Sequence, residues 1–169
     1  MLGLGTVGTG VYKVLKLQKE EMEAKIGARV ELKKILVRNL QKAAQKVDDP
    51  SVLTNDVQEI LDDPEIEIVI EVMGGIQPAL SYMLEALNAG KSVVTANKDV
   101  VASEGKKLLE AAKANGRDFL YEASVGGRNP DRTSDETMPG RQSYHGSGRH
   151  FQRHDKLYPD ENVKGRDGV

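Results

Sequence analysis

The sequence predicts an α/β protein built on a doubly wound parallel sheet, and three observations carry the prediction. Over residues 1–127, helical patterns with a 3.6-residue period alternate with β-branched runs, the signature of a parallel sheet covered by helices. A Gly-x-Gly-x-x-Gly turn, Gly3-Leu4-Gly5-Thr6-Val7-Gly8, opens the first helical pattern. The apolar residues belong to the same stretch, because residues 128–169 hold only seven hydrophobic side chains, one leucine (Leu157) and no alanine or isoleucine.

In chain order, Val7, Val11, Val14, Leu15 and Leu17 predict one helix over residues 6–24, its far face rich in Lys and Glu. Residues 30–37 read as a strand, followed by a polar Lys- and Gln-rich segment and a short helix over 57–61, closed by Asp62-Asp63-Pro64. The run Ile66-Glu67-Ile68-Val69-Ile70-Glu71-Val72 is β-branched and stops before Gly74-Gly75, so it reads as the next strand. Pro78 suits a helix start, Leu80, Met83, Leu84 and Leu87 give that helix its stripe, and Asn88-Ala89-Gly90 ends it. A strand over 92–95, a helix over 101–115 stopped by Gly116 and a strand over 119–123 complete the reading. Only Met1 and Leu2 precede the glycine turn, where a doubly wound sheet needs its central strand, so the first strand reads as clipped.

Composition excludes several classes. With no cysteine among 169 residues there is no disulfide framework, thiolate metal site or cysteine nucleophile. No apolar run suits a membrane span or signal peptide, and a net charge of -2 offers no footprint for nucleic acid or anionic lipid. The expectation is a soluble, cytoplasmic chain without nucleic-acid or membrane partners. Its division is residues 1–127 as a cofactor-binding domain and 128–169 as a disordered polar tail, where eight Arg or Lys face seven Asp or Glu. His145, His150 and His154 fall in that tail without a helix face to gather them, which argues against a metal site.

Four motifs carry chemistry. In the glycine turn, Gly3 makes the bend, Gly5 lets backbone approach a pyrophosphate, and Gly8 lets helix pack closely on strand. Backbone N–H groups at the helix start, around Thr6 and Val7, then face the anion. Arg38 follows the second predicted strand, where an acidic residue binds the ribose 2′-hydroxyl of NAD and a basic one suits the 2′-phosphate of NADP. That favours NADP, with Lys42 as a second contact, against the alternative of a solvated arginine at a strand exit. Val94-Thr95-Ala96-Asn97-Lys98 brings polar groups to a strand's C-terminal end, where a lysine can orient a carbonyl or relay a proton, or stand as an ordinary loop lysine. Glu122-Ala123-Ser124-Val125-Gly126-Gly127 could offer oxygen ligands to a hard cation, or simply end a strand in a turn.

Together these motifs, with Glu71-Val72-Met73-Gly74-Gly75, resemble the N-terminal Rossmann-type cofactor domain of homoserine dehydrogenase, in order and spacing, from Leu2 to about Gly127. The resemblance implies an oxidoreductase that interconverts L-homoserine and L-aspartate 4-semialdehyde with NADP or NAD, on the route to threonine, methionine and isoleucine, in an enzyme that is a homo-oligomer. It implies a cofactor-binding turn of Gly3, Gly5, Thr6, Val7 and Gly8 in which Thr6 and Val7 lie along the pyrophosphate, that Arg38 meets the 2′-phosphate, and that Thr95 and Lys98 face the nicotinamide end, with Lys98 near the substrate. It further implies a sodium ion held by Glu122 and the carbonyls of Val125 and Gly127.

Beyond Gly127 the pattern departs. Where the family places an isoleucine carbonyl as the next cation ligand, this chain has Asn129. The family's Gly-Ile-Pro-Ile segment and substrate domain, with its second lysine, are missing. Back-translating Arg128-Asn129-Pro130-Asp131 and reading one nucleotide later permits Gly-Ile-Pro-Ile, and residues 149–162 treated alike permit Gly-Ile-Phe-Asn-Gly-Thr-Thr-Asn-Tyr-Ile-Leu-Thr-Lys-Met. The expectation is therefore a frame slip at the Gly126-Gly127 codons and a cofactor-domain fragment without turnover. The other readings are a non-catalytic nucleotide-binding module, another dinucleotide-fold reductase, and a fragment that does not fold.

Overall fold

A computed structural model describes residues Met1–Tyr121, which lie in the first of two units, Met1–Asp135 and Glu136–Val169. The predicted strand over 119–123 is described only through Tyr121, and Glu122, Val125, Gly127, Asn129 and the whole predicted tail lie outside the described residues.

The elements run α1 (Thr6–Leu17), α2 (Lys19–Ile26), β1 (Ile35–Leu36), α3 (Leu40–Ala44), a 3-10 turn (Pro50–Val52), β2 (Leu53–Thr54), α4 (Gln58–Leu61), β3 (Ile68–Glu71), α5 (Ala79–Asn88), β4 (Ser92–Thr95), α6 (Lys98–Ala114) and β5 (Phe119–Leu120). Among the described residues every ladder is parallel: β1 pairs with β2, β3 with β4, and β4 with β5. Leu2 joins the two groups, bridging in parallel to Leu36 on one side and Glu71 on the other. Its N–H donates to Ile70 O at 2.7 Å, its carbonyl accepts from Val72 N at 3.0 Å, and the N–H of Leu36 reaches Met1 O at 2.8 Å. Met1 and Leu2 thus hold the central place of the sheet, between β1 and β3, as the sequence requires.

Alternation along the strands divides the core in two. Leu2, Leu36 and Val69 point into a cluster with Met83, Leu87, Val100 and Leu108 of α5 and α6. Met1, Ile35 and Ile70 point the other way, toward Ala43 and Val47, with Val11 and Tyr12 of α1 packed beside them. A period-2 pattern apolar on both faces is what a sheet covered on both sides requires. Among the described residues no helix is long and apolar enough to cross a membrane.

Three expectations change. The helix predicted over 6–24 is two helices, because Gln18 leaves helical geometry at φ -107° and ψ 17°. The apolar positions did not foretell the break, since Val7, Val14 and Leu17 are exposed and the helix buries only Gly8 fully. The strand predicted over 30–37 shrinks to Ile35–Leu36, because its neighbours, Leu53–Thr54 and Met1–Leu2, offer partners only there. The helix predicted over 101–115 begins three residues earlier, at Lys98, where the Asn97 side chain accepts from Val100 N at 3.3 Å and caps it.

Candidate functional site

The C-terminal ends of the parallel strands and the glycine turn meet at one edge of the sheet, the position at which open α/β sheets take ligands. Gly3 sits at φ +101°, and an added Cβ would lie 3.1 Å from Val72 O. At Gly8 an added Cβ would lie 2.4 Å from Gly3 O and 3.2 Å from the Val72 side chain, so α1 packs directly on the turn and on the end of β3. Gly5 differs: nothing lies within 4 Å of its Cβ position, and it is the N-cap of α1 without a side-chain cap. Thr6 and Val7 are exposed in the first helical turn, which has no acidic residue. The helix start therefore presents unpaired N–H groups and the positive end of its dipole at an open position.

Two hollows flank the segment Val72-Met73-Gly74 that follows β3. The larger, about 730 Å³, reaches from Gly3 and Gly5 to Arg38, Lys42 and Lys46. Its lining has three cations and no carboxylate, and among the described residues none of the three is in an ion pair. Lys46 was not singled out from the sequence. Its ammonium donates to Leu4 O at 3.0 Å and so stands over the glycine turn, 42 residues away along the chain. No spacing signals it, because Lys46 lies beyond the end of α3 at Ala44 and its place over the turn comes from a contact remote in sequence.

The smaller hollow, about 170 Å³, lies between Val7 on α1, Met73 and Gly74 after β3, and Ala96 and Asn97 after β4. Thr95 does not line it and is buried; its hydroxyl donates to Glu71 Oε2 at 2.5 Å and accepts from Asn97 N at 3.0 Å. Glu71, fully buried, also accepts from Met73 N at 2.7 Å through Oε1, and Asn97 Nδ2 donates to Gly75 O at 2.7 Å. The sequence motifs contain all of these residues, but nothing in their spacing distinguishes a buried carboxylate from an exposed one. Lys98 is exposed at the first position of α6 and lines neither hollow. The candidate cation ligands Glu122, Val125 and Gly127 lie outside the described residues.

A parallel sheet with helices on both faces, a glycine turn under a helix start and a groove crossing the strand ends define a Rossmann-like α/β nucleotide-binding domain. Residues 3–122 match the family model described as homoserine dehydrogenase, NAD binding domain. The homoserine dehydrogenase of Bacillus subtilis is 46% identical over 131 residues, covering 77% of this chain and 30% of that protein. That of Corynebacterium glutamicum is 40% identical over 130 residues, covering 77% of this chain and 29% of that protein. Among solved structures, homoserine dehydrogenase from Thiobacillus denitrificans aligns with a TM-score of 0.71 and 42% identity over 75% of this chain and 29% of that one. A hyperthermophilic archaeal homoserine dehydrogenase in complex with NADPH shares the fold at a TM-score of 0.58 and 24% identity over 73% of this chain and 43% of that one. The chain belongs to the homoserine dehydrogenase family and carries its NAD-binding domain, and it spans about 30% of the length of these curated relatives.

Proposed function

We propose that this chain is the NADP-binding domain of a homoserine dehydrogenase and that it binds the dinucleotide without turning over substrate. The observation that carries the reading is the groove beside the glycine turn, lined by three cations that form no ion pair among the described residues and by no carboxylate. A ribose 2′-phosphate is a dianionic acceptor that a fork-shaped guanidinium suits, and an acidic residue at that strand end would repel it. Arg38 then takes the 2′-phosphate, assisted by Lys42 and Lys46. Gly5 and the free N–H groups of Thr6 and Val7 take the pyrophosphate, with Gly3 and Gly8 shaping the turn. Thr95 and Lys98 serve the nicotinamide end, Thr95 from beneath the rim and Lys98 toward the substrate.

When bound, the cofactor supplies a hydride donor or acceptor at its nicotinamide ring. Reaction with homoserine or aspartate semialdehyde also needs the carbonyl carbon and a proton donor held against that ring. Within residues 1–127, Lys98 is the one catalytic candidate. A sodium ion on Glu122 and the carbonyls of Val125 and Gly127, a homo-oligomeric assembly and a cytoplasmic location belong to the same proposal. So does the division at residue 127, with the residues beyond it read out of frame.

Isothermal titration of the purified 169-residue chain with NADPH and NADH tests the cofactor reading. The expected result is binding of both, with NADPH tighter by about tenfold or more, the value of one charge-assisted contact. Equal affinity, or tighter NADH, would remove Arg38 from its role. Homoserine oxidation above background would overturn the absence of turnover, and independent sequencing across the Gly126 and Gly127 codons decides the frame.

A further inference from the structure

We propose that Glu71 is a positioning residue for the nicotinamide end of the cofactor: one buried carboxylate fixes both rims of the smaller hollow. The inference rests on the cofactor reading above and concerns a residue that touches no ligand in it. The hollow has a rim after β3, Met73 to Gly75, and a rim after β4, Ala96 and Asn97. These rims are separate loops at the ends of neighbouring parallel strands, and the β3–β4 ladder ends where Ala96 N donates to the Glu71 carbonyl at 3.2 Å, leaving Met73 and Asn97 beyond it. Glu71 joins them. Oε1 accepts from Met73 N at 2.7 Å, setting the first rim, and Oε2 accepts from the Thr95 hydroxyl at 2.5 Å. Because that hydroxyl spends its proton on Glu71, its lone pair is aimed at Asn97 N, 3.0 Å away, which sets the second rim. Asn97 closes the circuit through Nδ2 to Gly75 O at 2.7 Å, while its Oδ1 caps α6 at Val100 N.

Chemistry explains why the residue is a carboxylate. Both partners of Glu71 are donors, so both of its oxygens must accept. An amide in its place has one accepting oxygen and sets an N–H₂ group against either an N–H or a hydroxyl already engaged. A methyl or methylene group would leave Met73 N and the Thr95 hydroxyl unsatisfied in a buried place. No described cation pairs with Glu71, so the group does not read as half of a structural ion pair. Its side-chain hydrogen bonds run to Met73 on one rim and to Thr95, which passes the link on to Asn97 on the other.

The test compares NADPH with 2′-phospho-ADP-ribose, which keeps the adenosine, 2′-phosphate and pyrophosphate but lacks nicotinamide. Glu71→Gln in the full 169-residue chain is expected to weaken NADPH by roughly tenfold, the loss of one hydrogen bond to a charged group. Affinity for 2′-phospho-ADP-ribose should stay within about twofold. Equal weakening of both ligands would mean a general structural role and overturn the proposal, as would no weakening of either. If Glu71→Gln does not fold, Thr95→Val, which keeps the shape and removes the hydroxyl link, must show the same split between the two ligands or the proposal fails. Failure of the unaltered chain to bind either ligand would sink the cofactor reading and this inference with it, whereas unaltered binding with no split in the variants sinks this inference alone.

Discussion

Gly8 stands so close to Gly3 that a Cβ added to it would lie 2.4 Å from the Gly3 carbonyl oxygen, while a Cβ on Gly5 would meet nothing within 4 Å. The two glycines therefore make different demands. Gly8→Ala forces backbone to move and is expected to destabilise the domain by about 1–3 kcal/mol, as overpacking does. Gly5→Ala costs little in folding but puts a methyl group where backbone must approach the pyrophosphate. Urea unfolding should separate the pair, with Gly8→Ala lowering the midpoint and Gly5→Ala leaving it nearly unchanged. NADPH titration should show Gly5→Ala binding more weakly. A Gly8→Ala chain as stable as the parent would mean that the turn relaxes freely.

Arg38, Lys42 and Lys46 share one groove wall, but they are not equivalent. Lys46 already donates to Leu4 O over the glycine turn, and Arg38 stands beyond β1 with no described ion pair. Arg38→Ala is expected to weaken NADPH tenfold or more and leave NADH within about twofold, because the lost contact meets only the 2′-phosphate. Raising salt should shrink the difference in the parent, since these charges are exposed and screened. Equal losses for the two cofactors would assign Arg38 to the pyrophosphate instead.

How far the sequence reads onto this structure depends on what each pattern encodes. The strand Ser92–Thr95 and the helix begun after Pro78 match their expected bounds, because a β-branched run and a proline start are local signals. The central place of Met1 and Leu2 was legible from topology alone. By contrast, α3, the 3-10 turn and β2 lie in what reads as a polar stretch, since β2 exists only through its pairing with β1. For the site, the glycine turn and Arg38 were legible as motifs. Glu71 and Lys46 were not, because their importance comes from burial and from a contact across 42 residues, neither of which leaves a spacing to read.

Lys91 is a charge whose place no motif announced. It is 3% exposed, and its ammonium donates to Asp63 O at 2.6 Å and Ile66 O at 2.9 Å, tying the start of β4 to the loop that leads into β3. Lys91→Met keeps the length and apolar stem but leaves two carbonyls without that donor. The expected loss is about 1–3 kcal/mol of folding stability, because Ile66 O loses its donor while Asp63 O keeps the bond from Ile66 N at 3.2 Å, less the relief of desolvating a cation. Urea unfolding measures it. A neutral or stabilising Lys91→Met would show that the cost of burying the charge outweighs both bonds.

The Met1 amine is buried beside the central sheet position and donates to Lys34 O at 2.6 Å. Burial disfavours its charged form and lowers its pKa from 8.0 to about 5. Between those values the unfolded chain binds more protons than the folded one, so stability rises with pH across the window. The contribution is fully present above about pH 8 and lost as pH falls through about 5, with an upper bound on the order of 4 kcal/mol before fraying of the first residues reduces it. Carboxylates such as Asp48, held low mainly by its hydrogen bond from Lys16, act with the same sign but in a more acidic range, losing their contribution only as pH falls below the ordinary carboxylate range and so outside that window. The three histidines are the remaining side chains that ordinarily titrate inside the window. Urea midpoints from pH 5 to 8 should therefore be measured with His145→Gln, His150→Gln and His154→Gln combined. A midpoint that climbs with pH in that background is the expected result, and a flat profile would mean that the amine keeps its proton in the folded chain.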